Sequence, residues 1–267
     1  MRTHRHPASA LLFSLAFFAS GTTAHAQQAY PSNFSAAAAE SGTVRDALVW
    51  LESNFDSQLE EWIHITQIPA KSGFEADRAA YLVDELEKEG VEAVIDDAGN
   101  VVATMPGTGD GPTVVFGAHM DTVHPMDTDV TVIRDGGILR APGVFDNSAS
   151  VANMMATIRA LKESGVRTRG DLIFIATVEE ELGFNGMAAW LEANPGVADM
   201  VVSLDGGLGG VSYGALWFGE RRYTFHAEGS HTLTSRGKPH PAKALSEAIL
   251  SINGIPLEEG GPFAVFN

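Results

Sequence analysis

The sequence predicts an α/β fold built on a doubly wound, largely parallel or mixed sheet. Two largely apolar runs, at residues 113–118 and 171–176, are typical of short strands that are buried on both faces. Stretches with apolar residues at helical spacing precede, separate and follow these runs. Strands that alternate with helices in this way favour a central sheet packed between helices.

The first 26 residues predict a secretory signal peptide. Arg2 and Arg5 precede an apolar stretch at residues 10–19, and residues 24–26 offer a small-x-small cleavage site. The apolar stretch is too short to cross a bilayer, although an uncleaved anchor is the alternative. We therefore expect an exported protein, periplasmic or secreted, that has no membrane partner after cleavage. Residues 27–41 are polar and alanine-rich, which predicts a poorly ordered lead-in.

Two helices are predicted before the first strand. The first spans residues 43–62 and carries an apolar stripe at spacings of three and four. Its members are Leu48, Leu51, Phe55, Leu59 and Trp62. The second begins at a capping box formed by Ser72 and Glu75 and stops at Gly90. Its stripe comprises Ala79, Leu82, Val83 and Leu86. We expect both stripes to face the core.

The later elements alternate along the chain. Residues 91–95 and 101–105 predict a hairpin or two adjacent strands. A helix follows Asp146, a short helix covers residues 187–191, and a further strand ends at Asp205. The helix after Asp146 carries Val151, Met154, Met155, Ile158 and Leu161 at helical spacing.

The alternation of strands and helices is interrupted after Asp205. Residues 206–210 contain four glycines, residues 217–227 predict a strand, and residues 241–252 predict a helix. We place a domain boundary near Gly214. Residues 27–213 then form one domain, and residues 214–267 form part of another.

The charge balance limits the classes of partner. The 267 residues include 17 Lys and Arg against 34 Asp and Glu, a formal net charge of −17. Loss of residues 1–26 would remove two Arg and no acid, which leaves 15 minus 34, or −19. Such a balance argues against a nucleic-acid partner, because phosphate backbones require basic patches. With no cysteine in the sequence, any metal must be bound by imidazole and carboxylate.

A histidine and four acidic residues carry the functional prediction. We place each at, or just after, the end of a short buried strand: His119, Asp146, the pair Glu180 and Glu181, and Asp205. In an open α/β sheet the carboxyl ends of the strands border the crevice where ligands bind. We therefore expect these side chains to meet at one metal-dependent hydrolase site.

These residue types suit a site with two divalent ions. Imidazole and carboxylates are suitable ligands for two ions about 3.5–4 Å apart, which lower the pKa of bound water to about 7. The predicted ligands are His119, Asp146, Glu181 and Asp205. Such ligands accept Zn²⁺, Co²⁺ or Mn²⁺.

Two neighbouring acids have predicted roles of their own. Asp121, two residues after His119, can accept the second N–H of the imidazole and fix its tautomer. Glu180 is the natural general base, which takes a proton from the attacking water and passes it to the leaving amine.

Four motifs resemble those of the co-catalytic di-zinc peptidases and deacylases of clan MH, which include aminoacylase, peptidase T, glutamate carboxypeptidase and acetylornithine deacetylase. Residues 117–123 (GAHMDTV) resemble the first-ligand motif, and residues 142–147 (PGVFDN) resemble the bridging-aspartate motif. Residues 177–183 (TVEEELG) resemble the Glu-Glu motif, and residues 203–206 (SLDG) resemble the next ligand. The resemblance runs from about residue 43 to the end of the chain.

The resemblance implies a phosphorylase/hydrolase-like catalytic domain and the beginning of an inserted α+β lid or dimerisation domain. It implies one Zn²⁺ bound by His119, Asp146 and Asp205, and another bound by Asp146, Glu181 and a further histidine. It also implies a cis peptide bond after Asp146. Residues 228–232 (EGSHT) resemble a lid element whose histidine stabilises the oxyanion, often in the partner subunit. His231 therefore joins Glu180 and Asp121 as a predicted catalytic residue, and a homodimer through the lid is implied.

One feature departs from the family pattern. The last zinc-binding histidine of the family lies beyond the lid, whereas this sequence ends at Asn267 inside the corresponding region. We therefore expect the sequence to be a fragment or a truncated product, in which the second ion would lack a ligand.

The leading hypothesis is an exported zinc exopeptidase that acts on small peptides, because the motifs resemble those of peptidase T. The first alternative is an N-acyl-amino-acid deacylase on the same scaffold. The second is a non-catalytic binding protein, which the missing histidine favours. The sequence has neither a Gly-x-Ser-x-Gly elbow nor a His-Glu-x-x-His helix, which disfavours serine hydrolases and single-zinc proteases.

Overall fold

The computed structural model describes residues 35–206, 210, 212, 222–229 and 231–255. The predicted signal peptide lies outside these residues. The chain divides into two compact units, Met1–Gly206 and Gly207–Asn267, whereas the sequence places a boundary near Gly214. No helix in the described residues is long and apolar enough to span a membrane.

A mixed five-stranded sheet forms the centre of the first unit. The strands of this unit are β1 (Ala93–Ile95), β2 (Val101–Met105), β3 (Val114–His119), β4 (Ile133–Asp135), β5 (Ile138–Arg140), β6 (Leu172–Thr177) and β7 (Met200–Ser203). The central sheet has the order β1-β2-β6-β3-β7, while β4 and β5 form a separate antiparallel pair. β1, β2 and β6 pair antiparallel, and β6, β3 and β7 pair parallel. The predicted α/β class and mixed sheet are therefore confirmed, and the predicted hairpin is β1–β2.

Helices pack on both faces of this sheet. The helices of this unit are α1 (Ala36–Ala39), α2 (Gly42–Ser53), α3 (Phe55–Thr66), α4 (Ala76–Lys88), α5 (Ser148–Glu163) and α6 (Asn185–Ala193). Of these, α2 packs on α5 and α1 contacts α2. Successive side chains of β6 point to opposite faces. Phe174 lies in the core cluster that contains residues of α4 and α5, whereas Ile173 and Ile175 pack in a second cluster with Trp190 of α6. This is the doubly wound arrangement that the alternating pattern predicts.

The predicted single helix at residues 43–62 is wrong, because the chain forms two helices that meet at Asn54. Asn54 has φ −108° and its side-chain Nδ2 donates to the carbonyl of Trp50 at 2.8 Å, which caps α2. Part of the predicted apolar stripe does not face the core. Leu48 and Phe55 are 57% and 63% exposed.

Three further differences concern local elements. β7 is exposed along its whole length, although the sequence predicts a buried strand, because its sheet partner in the described chain is β3 alone. The β4–β5 hairpin is not predicted. Within the predicted lead-in, Ser35 caps the short helix α1.

The second unit contains a 3₁₀ turn at Thr232–Thr234 and the helix α7 (Pro241–Asn253), which matches the predicted helix. Residues 222–229 form no strand. The rest of the predicted strand, residues 217–221, lies outside the described residues. His231 is exposed, and its Nδ1 accepts the N–H of Leu233 at 3.3 Å.

Candidate metal centre

Three of the four predicted positions lie at the carboxyl end of the parallel strands. His119 is the last residue of β3, Glu180 and Glu181 lie in the turn after β6, and Asp205 follows β7 by two residues. Asp146 does not follow a strand as predicted. It lies in the turn immediately before α5, so a loop and the start of a helix bring it to the site.

The structure brings His119, Asp146 and Glu181 together. One potential ligand atom from each lies within 4.8 Å of the other two. Nε2 of His119 is 3.0 Å from Oδ1 of Asp146 and 4.0 Å from Oε2 of Glu180. Asp205 is outside this group, but its charge acts on His119, Glu180 and Glu181. Its predicted role as a ligand stays a prediction.

Asp121 contacts Nδ1 of His119, the ring nitrogen that does not face Asp146. Nδ1 of His119 lies 3.1 Å from the backbone oxygen of Asp121 and 3.3 Å from Oδ1. A proton on Nδ1 would satisfy either oxygen and would leave Nε2 as the lone-pair atom that faces Asp146. Both residues are buried, with His119 4% and Asp121 0% exposed.

The acidic surroundings change the protonation of the site. Burial lowers the pKa of His119, but the hydrogen bond with Asp121 and the charges of Glu180, Asp121 and Asp205 raise it to about 9. Burial raises the pKa of Glu180 and of Glu181, and their acidic neighbours add to this effect while His119 opposes it. Carboxylates that repel one another around a single imidazole form a site that a cation would stabilise.

The donor set fits a divalent cation. One imidazole nitrogen and carboxylate oxygens are ligands that zinc accepts at about 2.0–2.2 Å, so two ligands of one ion lie at most about 4 Å apart. Because the three potential ligand atoms lie within 4.8 Å of one another, only small side-chain movements would bring them to the distances of ligands that share one ion. Such movements are available, because Asp146 and Glu181 are exposed whereas His119 is held in place.

The turn that carries Asp146 is tied to the segment that carries Asp205. The peptide bond between Asp146 and Asn147 is cis, as the resemblance implies. The side-chain Nδ2 of Asn147, which is 1% exposed, donates to the carbonyl of Leu204 at 3.0 Å. This hydrogen bond links the start of α5 to the end of β7.

The predicted capping box is wrong, and its two residues contact the site instead. Helix α4 begins after Glu75, without a side-chain capping bond. The hydroxyl of Ser72 donates to Oδ2 of Asp121 at 2.7 Å, and Oε1 of Glu75 accepts the N–H of Glu179 at 3.0 Å. Sequence reasoning missed both contacts, although the S-x-x-E spacing marks the two residues. His231 lies in the second unit, and its catalytic role stays a prediction.

Comparison with known families agrees with the motifs. Residues 115–263 match the family described as peptidase family M20/M25/M40. This segment contains His119, Asp146, Glu180, Glu181 and Asp205. It covers more than half of the chain.

Individual relatives are similar over shorter stretches. Peptidase T of Geobacillus kaustophilus is 29% identical over 210 residues, which is 64% of this chain and 50% of the relative. The LysW-lysine hydrolase of Deinococcus radiodurans is 36% identical over 115 residues, which is 43% of this chain and 30% of the relative. The chain spans about half or less of the length of the curated relatives it matches. The crystal structure of human carnosine dipeptidase 1 has the same fold, with a TM-score of 0.53 and 16% identity over 61% of this chain and 41% of that one.

Proposed function

The chain belongs to peptidase family M20/M25/M40, and from this premise we propose that it is a divalent-metal-dependent hydrolase of amide bonds. The observation that carries the proposal is the approach of His119, Asp146 and Glu181 to within 4.8 Å of one another. The enzymes of this family are metal-dependent. Oε2 of Glu180 lies 4.0 Å from Nε2 of His119, and Glu180 is not a member of the group of three potential ligands in the described residues.

The proposed roles of the site residues follow from their contacts. His119, Asp146 and Glu181 would bind the cation, with Asp205 as the further ligand that the motifs imply. The bound cation would polarise the substrate carbonyl and lower the pKa of the attacking water. Glu180 would accept the proton of the attacking water and deliver it to the leaving amine. Asp121 keeps the imidazole of His119 in one orientation.

The proposed metal is zinc, and the proposed substrates are small peptides cleaved from one end. Imidazole with carboxylates suits zinc, cobalt and manganese, so the ligand set alone does not select one. The names of relatives, among them peptidase T and carboxypeptidase G2, support peptides as the substrate class. The LysW-lysine hydrolases among the relatives support a hydrolase without selecting one substrate, so N-acyl amino acids stay the alternative substrate class.

Metal dependence is tested on the protein expressed from its complete gene. Hydrolysis of di- and tripeptides and of N-acyl amino acids is measured before and after treatment with a chelator, and then after addition of Zn²⁺, Co²⁺ or Mn²⁺. We expect the chelator to abolish hydrolysis and one of the ions to restore it. The substrate series separates a peptidase from a deacylase. Hydrolysis that survives complete removal of metal would refute the proposal, and metal binding without turnover of either series would indicate a binding protein.

We also propose export, supported by the basic, apolar and small-residue segments of the first 26 residues. In cell fractionation we expect the mature protein outside the cytoplasm, with Gln27 as its first residue. An N-terminus that retains residues 1–26 in the cytoplasmic fraction would refute this assignment. A homodimer formed through residues 214–267 is a further proposal, supported by the resemblance of the segment around His231 to a lid element.

A further inference from the structure

The segment between α3 and α4 contacts Asp121, the residue that hydrogen-bonds to His119 of the candidate metal centre. Ser72 is 8% exposed and its hydroxyl donates to Oδ2 of Asp121 at 2.7 Å. Asp121 is fully buried, so each donor that it receives replaces a hydrogen bond that water would otherwise supply. Ser72 therefore provides one of the bonds that hold this carboxylate in a single orientation.

Asp121 in turn holds the turn that carries the acidic pair. Its Oδ1 accepts the N–H of Glu180 at 3.0 Å, and its Oδ2 accepts the N–H of Glu181 at 3.1 Å. The same carboxylate lies 3.3 Å from Nδ1 of His119. A rotation of Asp121 would consequently disturb the imidazole and the backbone of both glutamates at once.

Glu75 holds the residue before this pair. Its Oε1 accepts the N–H groups of Gly73 at 2.9 Å and of Glu179 at 3.0 Å, and Glu75 is only 4% exposed. Glu179 has φ +51°, a left-handed conformation that is uncommon for a residue with a side chain. Successive N–H groups around such a residue converge on anions. The buried carboxylates of Glu75 and Asp121 are the anions that this turn contacts.

Arg78 places one positive charge in the same buried region as the two carboxylates. Its guanidinium donates to the carbonyls of Met120 at 2.6 Å and Ile68 at 2.5 Å, and the residue is 1% exposed. Burial lowers the pKa of Arg78 to about 10, and the charges of Asp121 and Glu75 oppose that decrease. Arg78 therefore interacts electrostatically with both buried carboxylates, Asp121 and Glu75, while its hydrogen bonds go to backbone carbonyls.

From these contacts we infer that Ser72 and Glu75 are positioning residues of the metal centre. Ser72 acts through Asp121, and Glu75 acts through the turn that presents Glu180 and Glu181. Neither residue is a ligand or touches the reacting atoms. The inference rests on the proposed function, since it assumes that His119, Asp146 and Glu181 bind a cation. Partners that hold metal ligands in place typically change metal affinity or activity by 10- to 100-fold when they are lost.

The test measures Zn²⁺ affinity of the purified protein by competition with a chromophoric chelator. Ser72→Ala removes one oxygen, and Glu75→Leu removes both acceptor oxygens at similar size. We expect each to weaken Zn²⁺ binding about 10- to 100-fold. Glu75→Gln keeps an acceptor oxygen and Ser72→Thr keeps the hydroxyl, so we expect both to retain most of the wild-type affinity.

A destabilised core variant separates positioning from a general loss of stability. Leu82 lies on α4, is 0% exposed and belongs to the core cluster rather than to the site. Leu82→Ala should leave a cavity in the core and lower the melting temperature of the protein. Below its melting temperature we expect it to bind Zn²⁺ with wild-type affinity.

The outcomes distinguish the inference from the function on which it rests. Wild-type affinity in Ser72→Ala and in Glu75→Leu would overturn the inference, as would equal weakening in Leu82→Ala. If Glu75→Leu does not fold, as judged by circular dichroism, Ser72→Ala with its Thr control decides the question. A wild-type protein that binds no divalent ion would refute the proposed function itself, irrespective of Ser72 and Glu75.

Discussion

Replacement of Glu180 with glutamine should reduce kcat for amide hydrolysis by about 10²- to 10⁴-fold, the usual contribution of a positioned general base. Glutamine has nearly the same shape but cannot accept a proton at neutral pH. Oε2 of Glu180 is 4.0 Å from Nε2 of His119, so the carboxylate borders the ion site. Because the N–H of Glu180, not its side chain, is bonded to Asp121, the substitution leaves the turn intact. Single-turnover rates and metal content are measured on the same preparations.

The neighbouring residue is a matched control. Glu179 carries the same functional group, but its carboxylate accepts a hydrogen bond from Nδ2 of Asn185 at 2.9 Å on the protein surface. We expect Glu179→Gln to hydrolyse substrate at close to the wild-type rate. If Glu180→Gln does so as well, Glu180 is not the base. If it instead loses the metal, Glu180 is a ligand.

Replacement of His119 with alanine should weaken binding of Zn²⁺ by more than about 100-fold. Loss of an outer partner of a metal ligand typically costs 10- to 100-fold, and His119 itself is the only nitrogen donor in the cluster that the described residues form. The remaining carboxylates of Asp146 and Glu181 are exposed and repel each other. Affinity is measured by competition with a chelator, and folding is checked by circular dichroism.

An exposed histidine outside the site provides the comparison. His64 lies in the last turn of α3, and its ring is 4.6 Å from that of Tyr81. We expect His64→Ala to bind Zn²⁺ as the wild type does. Retention of wild-type affinity in His119→Ala would remove the imidazole from the ligand set, and with it the proposed metal centre.

The strands could be predicted because their signal is local. Residues 113–118 and 171–176 consist largely of apolar residues, and the structure has strands at Val114–His119 and Leu172–Thr177. A strand of this type must be covered on both faces, which in turn requires helices on both sides. His119 and the pair Glu180 and Glu181 could be placed at one edge of the sheet for the same reason.

Other features depended on contacts that a local pattern does not contain. The apolar spacing at residues 43–62 continues across Asn54, but a side-chain bond to Trp50 ends the first helix there. The sequence predicts Asp146 at, or just after, the end of a strand, whereas in the structure it lies in the turn before α5. In both cases the residue types indicated a helix or a metal ligand, but they did not indicate the path of the backbone.

The sequence by itself determined the fold class, the two central parallel strands and the residue types of the candidate site, since apolar runs and acidic motifs are properties of neighbouring residues. Only the tertiary structure decided what Ser72 and Glu75 do. The sequence offered them a capping bond within four residues, yet they bond to Asp121 and Glu179, which are 49 and 104 residues away. The physical reason is the cost of burial. The free N–H groups of a helix terminus can be satisfied by water, whereas the buried carboxylate of Asp121 requires donors from the protein. A buried polar group without a hydrogen-bond partner costs about 1–3 kcal/mol, and a charged group costs more.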